Sequence, residues 1–263
     1  MDAEGAVLAE GRVLTQDTLV QDVHFRLEWT SWWDLGYKAA AVNLSDLAAM
    51  GADPDGLLVS ISLPPDENAD NVFELYEGMQ ETGVRVLGGD TTGGAAVSIT
   101  VTATGRSERI PGRARALPGD VLVVTGPLGG AAAGLHALTH GLDGFEELVA
   151  RHRRPPLRLA EGKELARVAH ALVDLSDGIG ADAARIADRS GCAIMITVDD
   201  VPKAPGIERV ADLPFWTMGE DYELLAALTP EDAQVSGLTV VGECREGSGV
   251  EPGGLGGWNA LRI

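Results

Sequence analysis

Ala95-Ala-Val97-Ser98-Ile99-Thr100-Val101-Thr102-Ala103-Thr104 alternates apolar and hydroxyl side chains without a break from Val97 onward. A period of two marks a β-strand with one packed face and one polar face. The stretch therefore predicts a sheet whose polar face meets either solvent or another subunit. Upstream, Asp55–Leu63 reads as a second strand, and Val84–Leu87 as a third that Gly88-Gly89-Asp90-Thr91 brings to an end. Paired glycines there let backbone approach a ligand closely. Between Ser31 and Gly51 the signals are helical: Ser31 with Asp34 makes a capping-box pattern, and Gly51 suits the position just past the helix end. The apolar stripe of this helix runs through Leu35, Ala39, Val42, Ala49 and Met50, and Asp46 falls on it. A carboxylate on a buried face is costly unless it is paired or binds a metal.

Downstream, Arg109–Pro118 is rich in Pro, Arg and Gly and separates two stretches of different character, which places a domain boundary near Leu117. The expected domains are 1–117 and 118–263. In the second, strands at Val121–Thr125, Leu172–Leu175, Cys192–Val198, Glu223–Leu228 and Leu238–Val241 alternate with helical stretches, an α/β or α+β pattern. Gly126-Pro-Leu-Gly-Gly130 lacks the Gly-Lys-Ser/Thr ending of a phosphate loop and reads as a structural turn.

The 263 residues are 45% hydrophobic and 23% charged, an ordinary globular composition. A net charge of −20 argues against a nucleic-acid surface, and an acidic protein that handles phosphates needs metal ions between the two. Cys192 and Cys244 form no CxxC pair, which argues against a zinc site or a disulfide framework. With no basic, apolar leader and no apolar run near ~18 residues, the expectation is a cytoplasmic protein without a membrane span.

Four acidic motifs carry the chemistry: Thr15-Gln-Asp17-Thr-Leu-Val-Gln-Asp22-Val-His24-Phe25, Asn43-Leu-Ser-Asp46, Gly88-Gly89-Asp90-Thr91 and Asp174-Leu-Ser176-Asp177-Gly178. Gathered carboxylates repel one another, and hard oxygen ligands of this kind suit Mg²⁺, which bridges carboxylates to substrate phosphates. The last motif follows an apolar strand and precedes a helix, a natural anion site; Asp177 is either a metal ligand or the helix N-cap. His24 is a candidate phosphate contact. His136 and His140 have zinc-pair spacing, but no glutamate follows His136 and no cysteine lies near, so they read as a solvated helix face. Met218-Gly-Glu220-Asp-Tyr-Glu-Leu224 is either a site for a cationic substrate or a turn capping the next strand.

Taken together, TQDTLVQDVHF, YKAAAVNLSDLAAMGADP, VLGGDTTGG, DLSDGIGADAARIA and MGEDYELL resemble the thiamine-monophosphate kinase family, of the superfamily that includes aminoimidazole ribonucleotide synthetase and selenophosphate synthetase. The stretches keep the family's order and span nearly the whole chain. The resemblance implies a two-domain aminoimidazole ribonucleotide synthetase-like fold, an N-terminal domain that pairs into a barrel-like homodimer with ATP near the interface, and a C-terminal α/β domain. It implies transfer of the ATP γ-phosphoryl group to thiamine monophosphate, with several Mg²⁺ ions. Carried over by position, Thr15, Asp17, Asp46, Asp90, Asp174 and Asp177 look like metal ligands. Gly89, Asp90, Arg113 and Ser176 look like ATP contacts, and Asp90, Asp174 and Arg113 like the catalytic set. His24, Glu220 and Trp258 look like acceptor contacts, with Glu220 and Trp258 suited to the cationic thiazolium. The family carries a further acid before the first motif; here the chain reads Met1-Asp-Ala-Glu-Gly-Ala-Val-Leu8, so Asp2 or Glu4 replaces it, or it is missing and the start lies upstream. Gln16 and Met218 also depart from the usual threonine and glycine. Two alternatives stand beside this reading: a sibling ATP-dependent synthetase, and a protein that binds nucleotide or thiamine phosphate without turnover.

Overall fold

Residues 3–255 are described by a computed structural model. In chain order the first half comprises strands Ala6–Val7 (β1) and Arg12–Val20 (β2), helix Trp32–Ala49 (α1), strand Asp53–Leu63 (β3), helix Ala69–Gln80 (α2), and strands Val86–Gly93 (β4) and Ser98–Arg106 (β5). The strands form one sheet in the order β1-β2-β5-β3-β4, antiparallel except for β3 with β4. The alternation read from the sequence holds. Val97, Ile99, Val101 and Ala103 are buried in one core with Leu35, Leu44 and Leu47 of α1 and Leu75 and Met79 of α2. On the other face, Thr18 and Thr100 share a hydroxyl–hydroxyl bond of 2.8 Å and Thr102 donates to Gln16 at 2.8 Å.

Two elements differ from the sequence expectation. Thr15 and Asp17 lie inside β2, which the sequence did not announce because Gln16 and Asp17 interrupt its apolar alternation. Gly88-Gly89-Asp90-Thr91 does not end its strand but lies within β4, with Ser60 of β3 opposite Asp90. Glycines are weak strand formers, yet ladder pairing with β3 satisfies the backbone, and tertiary context overrides local propensity.

The second half adds strand Val121–Val124 (β6), helices Gly130–His140 (α3), Glu146–Arg153 (α4) and Leu159–Val168 (α5), strand Ala171–Asp174 (β7), helix Ile179–Ser190 (α6), and strands Ala193–Ile196 (β8), Leu224–Leu228 (β9), Thr239–Arg245 (β10) and Gly249–Glu251 (β11). The order is β11-β8-β10-β6-β9-β7, and only β11 with β8 is parallel. This is the α+β form of the expected pattern. Cys192 and Cys244 are buried free thiols, and among the described residues no helix is long and apolar enough to cross a membrane.

Helix α1 joins the two halves. Ser31 caps it by accepting the Asp34 N–H at 3.0 Å, as the capping pattern predicts. It is buried around almost its whole circumference, the mark of a core helix rather than a surface one. Its last turn, Ala48 and Ala49, packs with Leu165, Ala166, Leu172 and Leu224 of the second half. A Cβ on Gly162 would stand 2.2 Å from the Ala48 carbonyl oxygen, so only glycine lets α5 approach α1 this closely. That contact sets the polar end of α1 beside the end of β7.

Candidate active site

Asn43-Leu-Ser45-Asp46 is the part of α1 around which the acids gather. The Asn43 side chain accepts the Asp17 N–H at 3.0 Å, and its backbone carbonyl accepts the Thr15 hydroxyl at 3.2 Å, fixing β2 against the helix. Ser45 donates to Asp174 at 2.7 Å across the two halves. Carboxylate oxygens of Glu4, Asp46 and Asp174 then lie within 4.8 Å of one another. Arg113 donates to Glu4 through Nε at 2.9 Å and through a second nitrogen.

This cluster is short of positive charge. Burial pushes the Asp46 carboxyl well above its usual range; Asp174, Asp17 and Glu4 add to this, and Arg113 opposes it. Asp174 is also held well above the usual range, by burial first and then by Glu4, against the Ser45 hydrogen bond. Asp17 is open to solvent on one side, yet the protein packed around it raises its carboxyl, and Glu4 and Asp177 add to that against His24. Carboxylates that raise one another's proton affinity favour a bound cation. An all-oxygen set of this kind fits a hard divalent ion.

The loop after β7 is held differently. Gly178, at φ 104°, is the N-cap of α6, so Asp177 does not cap the helix. Asp182 instead accepts the N–H groups of Asp177 and Gly178, each at 3.1 Å. Arg185 bridges the side chains of Asp177 and Asp182. Backbone pairing carries the 218–223 loop onto this one: the Glu220 N–H donates to the Ser176 carbonyl at 2.8 Å and the Tyr222 N–H to that of Leu175 at 3.0 Å. Glu220 and the Asp174 loop are thereby neighbours.

Beside the acids lies a cavity of about 440 Å³ whose lining includes His24, Phe25, Trp29, His152, Phe215 and Glu220. Its size suits a small organic ligand. His24 accepts the Val20 N–H through Nδ1 at 3.0 Å, which leaves the ring proton on Nε2. His136 and His140 are stacked with centroids 4.0 Å apart, and His136 meets Phe215 edge-on. Both border the cavity, yet His140 is exposed and His136 only half-buried, so the solvated helix face read from the sequence holds. At the cavity's inner end, Lys38 reaches from α1 to Glu220 at 2.7 Å, and His152 from α4 stands 3.9 Å from the same carboxylate oxygen. Burial alone would raise the Glu220 carboxyl, but the Lys38 ammonium, above all, reverses this and holds it below the usual range. Breaking one partner of such a buried pair typically costs about 3–5 kcal/mol.

Two other buried acids are filled by the protein itself. The Gly129 N–H donates to both oxygens of Asp221, at 2.9 and 2.8 Å, so a carboxylate occupies the N-terminus of α3 where a phosphate loop would hold its ligand. Glu223 accepts two hydrogen bonds from Arg158, at 2.7 and 2.8 Å, and one from Thr125 at 2.6 Å.

Of the residues singled out in the sequence, Thr15, Asp17, Asp46, Asp174 and Arg113 converge on the cluster, Asp177 and Ser176 border it, and His24 and Glu220 line the cavity. Gly89 and Asp90 do not join them within the protomer. Asp17 sits opposite buried Val101, whereas Asp90 sits opposite Ser60, which pairs with Thr100 and through it with Thr18 on the outer face. The two aspartates thus lie on opposite faces, three strands apart, about 14 Å by the usual strand spacing. Trp258 lies outside the described residues. Sequence reasoning missed Lys38 and His152, although a lysine amid the buried positions of α1 was a usable signal.

The AIR synthase related protein pattern matches twice, its N-terminal domain over residues 2–107 and its C-terminal domain over 118–246. The thiamine-monophosphate kinase of Methanopyrus kandleri is 37% identical over 261 residues, covering 95% of this chain and 84% of its own. That of Haemophilus influenzae is 39% identical over 232 residues, covering 83% and 70%. Among solved structures, AaThiL complexed with AMPPCP and TMP superposes with a TM-score of 0.91 at 31% identity, over 98% of this chain and 91% of that one.

Proposed function

This chain belongs to the thiamine-monophosphate kinase family of AIR synthase related proteins, and from that premise we infer that it transfers the γ-phosphoryl group of ATP to the phosphate of thiamine monophosphate, giving thiamine diphosphate and ADP. The observation that carries this reading is the meeting of Glu4, Asp46 and Asp174 beside a cavity that presents His24 and Glu220.

The chemistry asks little of the protein beyond placement and charge. The attacking oxygen of the acceptor is already anionic, so no general base is required and no covalent enzyme intermediate is formed. Two polyanions must be aligned and their repulsion neutralised. Mg²⁺ ions held by Glu4, Asp17, Asp46 and Asp174, with Thr15 and Asp177 at the edge, would supply that neutralisation. Glu4 takes the place of the family's leading acid, which weighs against a protein that only binds. Arg113, now on Glu4, and Ser176 stand beside the cluster, where ATP phosphates would lie.

Gly89 and Asp90 serve the same reaction through a homodimer. The outer face of the N-terminal sheet carries Thr18, Thr100, Ser60 and Asp90 together with half-exposed Leu58 and Leu87. Pairing of two such faces would hand Asp90 to the partner's ATP. The division at residue 117, with ATP, metal and dimer functions before it and acceptor and metal-binding functions after it, and a cytoplasmic setting complete the reading.

The test is direct: purified protein, ATP, Mg²⁺ and thiamine monophosphate, with products separated by chromatography. Thiamine diphosphate that forms, and stops forming on addition of EDTA, is the expected result. ATP binding by a folded sample without product would return the binding-only alternative.

A further inference from the structure

Glu220 faces the cavity's inner end, yet it does not present a free negative charge. Its Oε2 is tied to Lys38, which is 4% exposed, and the pair as a whole is neutral. Its Oε1 has only a long contact, 3.4 Å, from the Tyr222 hydroxyl. His152 is 7% exposed, and its Nδ1 is buried without any hydrogen-bond partner, 3.9 Å from the Glu220 carboxylate. An unpaired buried ring nitrogen is a standing cost, and such groups in native structures commonly mark a place completed by something else. The nearby walls, Phe25, Trp29 and Phe215, are aromatic and suited to a flat ring.

We propose that Lys38 and His152 are positioning residues for Glu220, and that this set reads the acceptor by a hydrogen bond from its exocyclic amine rather than by attraction to its cationic ring. The proposal rests on the reading of the acceptor as thiamine monophosphate, whose neutral aminopyrimidine carries that amine. Lys38 holds Oε2 and keeps the carboxylate ionised, so that Oε1 is left to accept from the amine. His152 supplies a neutral N–H that closes the remaining gap to the carboxylate once the ligand fills the cavity. Neutrality of His152 is consistent with its surroundings, since burial and the Lys38 charge lower its pKa to about 3. The charged and titratable groups facing Glu220 are Lys38 from α1, His152 from α4, Tyr222 from its own loop and His24 from the loop after β2. A charge-seeking site would have left Glu220 unpaired. This one is paired in advance.

The experiment compares steady-state phosphorylation of thiamine monophosphate with that of its analogue bearing oxygen in place of the 4′-amine, at saturating ATP and Mg²⁺. Loss of a hydrogen bond to a charged group is expected to raise KM about 10- to 100-fold for the analogue in the wild-type protein. In Lys38→Met the chief opponent of burial at Glu220 is gone, and its pKa rises. The ratio of the variant's KM to that of the wild type, in which the acceptor's own phosphate ionisation at about pH 6 cancels, climbs as pH falls through the raised value, kcat changing less. Lys38→Met/Glu220→Gln removes both charges, which protects the fold, and is expected to keep a high KM and lose discrimination between the two acceptors. Equal KM for the two acceptors in the wild type, or wild-type kinetics from the double variant, would overturn the proposal and leave the kinase reading intact. No turnover of thiamine monophosphate by folded, ATP-binding protein would end both.

Discussion

Two acid-rich regions lie side by side in this molecule and handle charge in opposite ways. Around Asp46, three carboxylates crowd within 4.8 Å with Arg113 as their near cation, and burial together with Glu4 raises the proton affinity of Asp46 and Asp174. Beside it in the second half, Glu220, Asp221 and Glu223 are largely buried too but are answered by Lys38, the α3 N-terminus and Arg158. The lesson is that acid density alone does not mark a metal site. What marks it is charge left unanswered by the protein, because folding tolerates such a deficit only where a ligand makes it good.

The comparison breaks first if the unanswered cluster proves dispensable. Asp174→Asn or Asp46→Asn should lower turnover on the order of 10³-fold and abolish the rise in melting temperature on adding Mg²⁺, while the metal-free fold is kept or stabilised by relief of repulsion. Near-normal turnover in either variant would show that these acids do not hold the metal. Asp90 belongs to neither region within the protomer, so Asp90→Asn is expected to cost about 10²-fold without changing the metal-free melting temperature. Thr100→Arg on the same outer face should lower activity alongside a fall in molar mass by light scattering. If that variant is monomeric and fully active, the partner does not supply Asp90.

Glu4→Gln sharpens the boundary of the cluster. It should raise the half-saturating Mg²⁺ concentration by about 10- to 100-fold, and an unchanged titration would return Glu4 to a purely structural partner of Arg113. Metal-free stability should also depend on pH with a defined sign. Asp182 and Asp221 are raised by burial to about 7 from a usual 3.8, and Asp46 and Asp174 are raised in the same direction. The folded chain then binds more protons than the unfolded chain between those values, so these groups make stability fall as pH rises through that window. Mg²⁺ should cancel only the share due to Asp46 and Asp174, and its stabilising increment, followed by thermal unfolding, should therefore grow with pH. The smallest effect belongs to the answered region: Asp221→Asn should cost about 1–2 kcal/mol and change turnover by no more than about twofold.

Much of this was legible before any coordinates. The alternation at Val97–Ala103 named the packed face of the first sheet, Ser31 named the start of α1, and Asp46 stood out as a charge on an apolar stripe. The limits came where local pattern and tertiary pairing disagree. β2 is interrupted by the residues that make it useful, and β4 is a glycine-rich segment held as a strand by its neighbour. His136 and His140 lie on a solvated face as read, but the cavity they border depends on the loop carrying Phe215, which a helix face does not reveal.

Sequence by itself determined the family, the two-part organisation, and the identity of most acids that meet at the site, because those depend on residue type and order along the chain. Only the tertiary structure decided which acids are answered. Lys38 lies 182 residues from Glu220 and Arg158 65 from Glu223, whereas Asp46 and Asp174 meet with Ser45 between the halves and, among the described residues, no cation of their own beyond Arg113. Charge compensation depends on separations of a few ångströms in a poorly screening interior. Those separations are set by the crossing of α1 over α5 and by the register of the strands, not by any spacing along the chain.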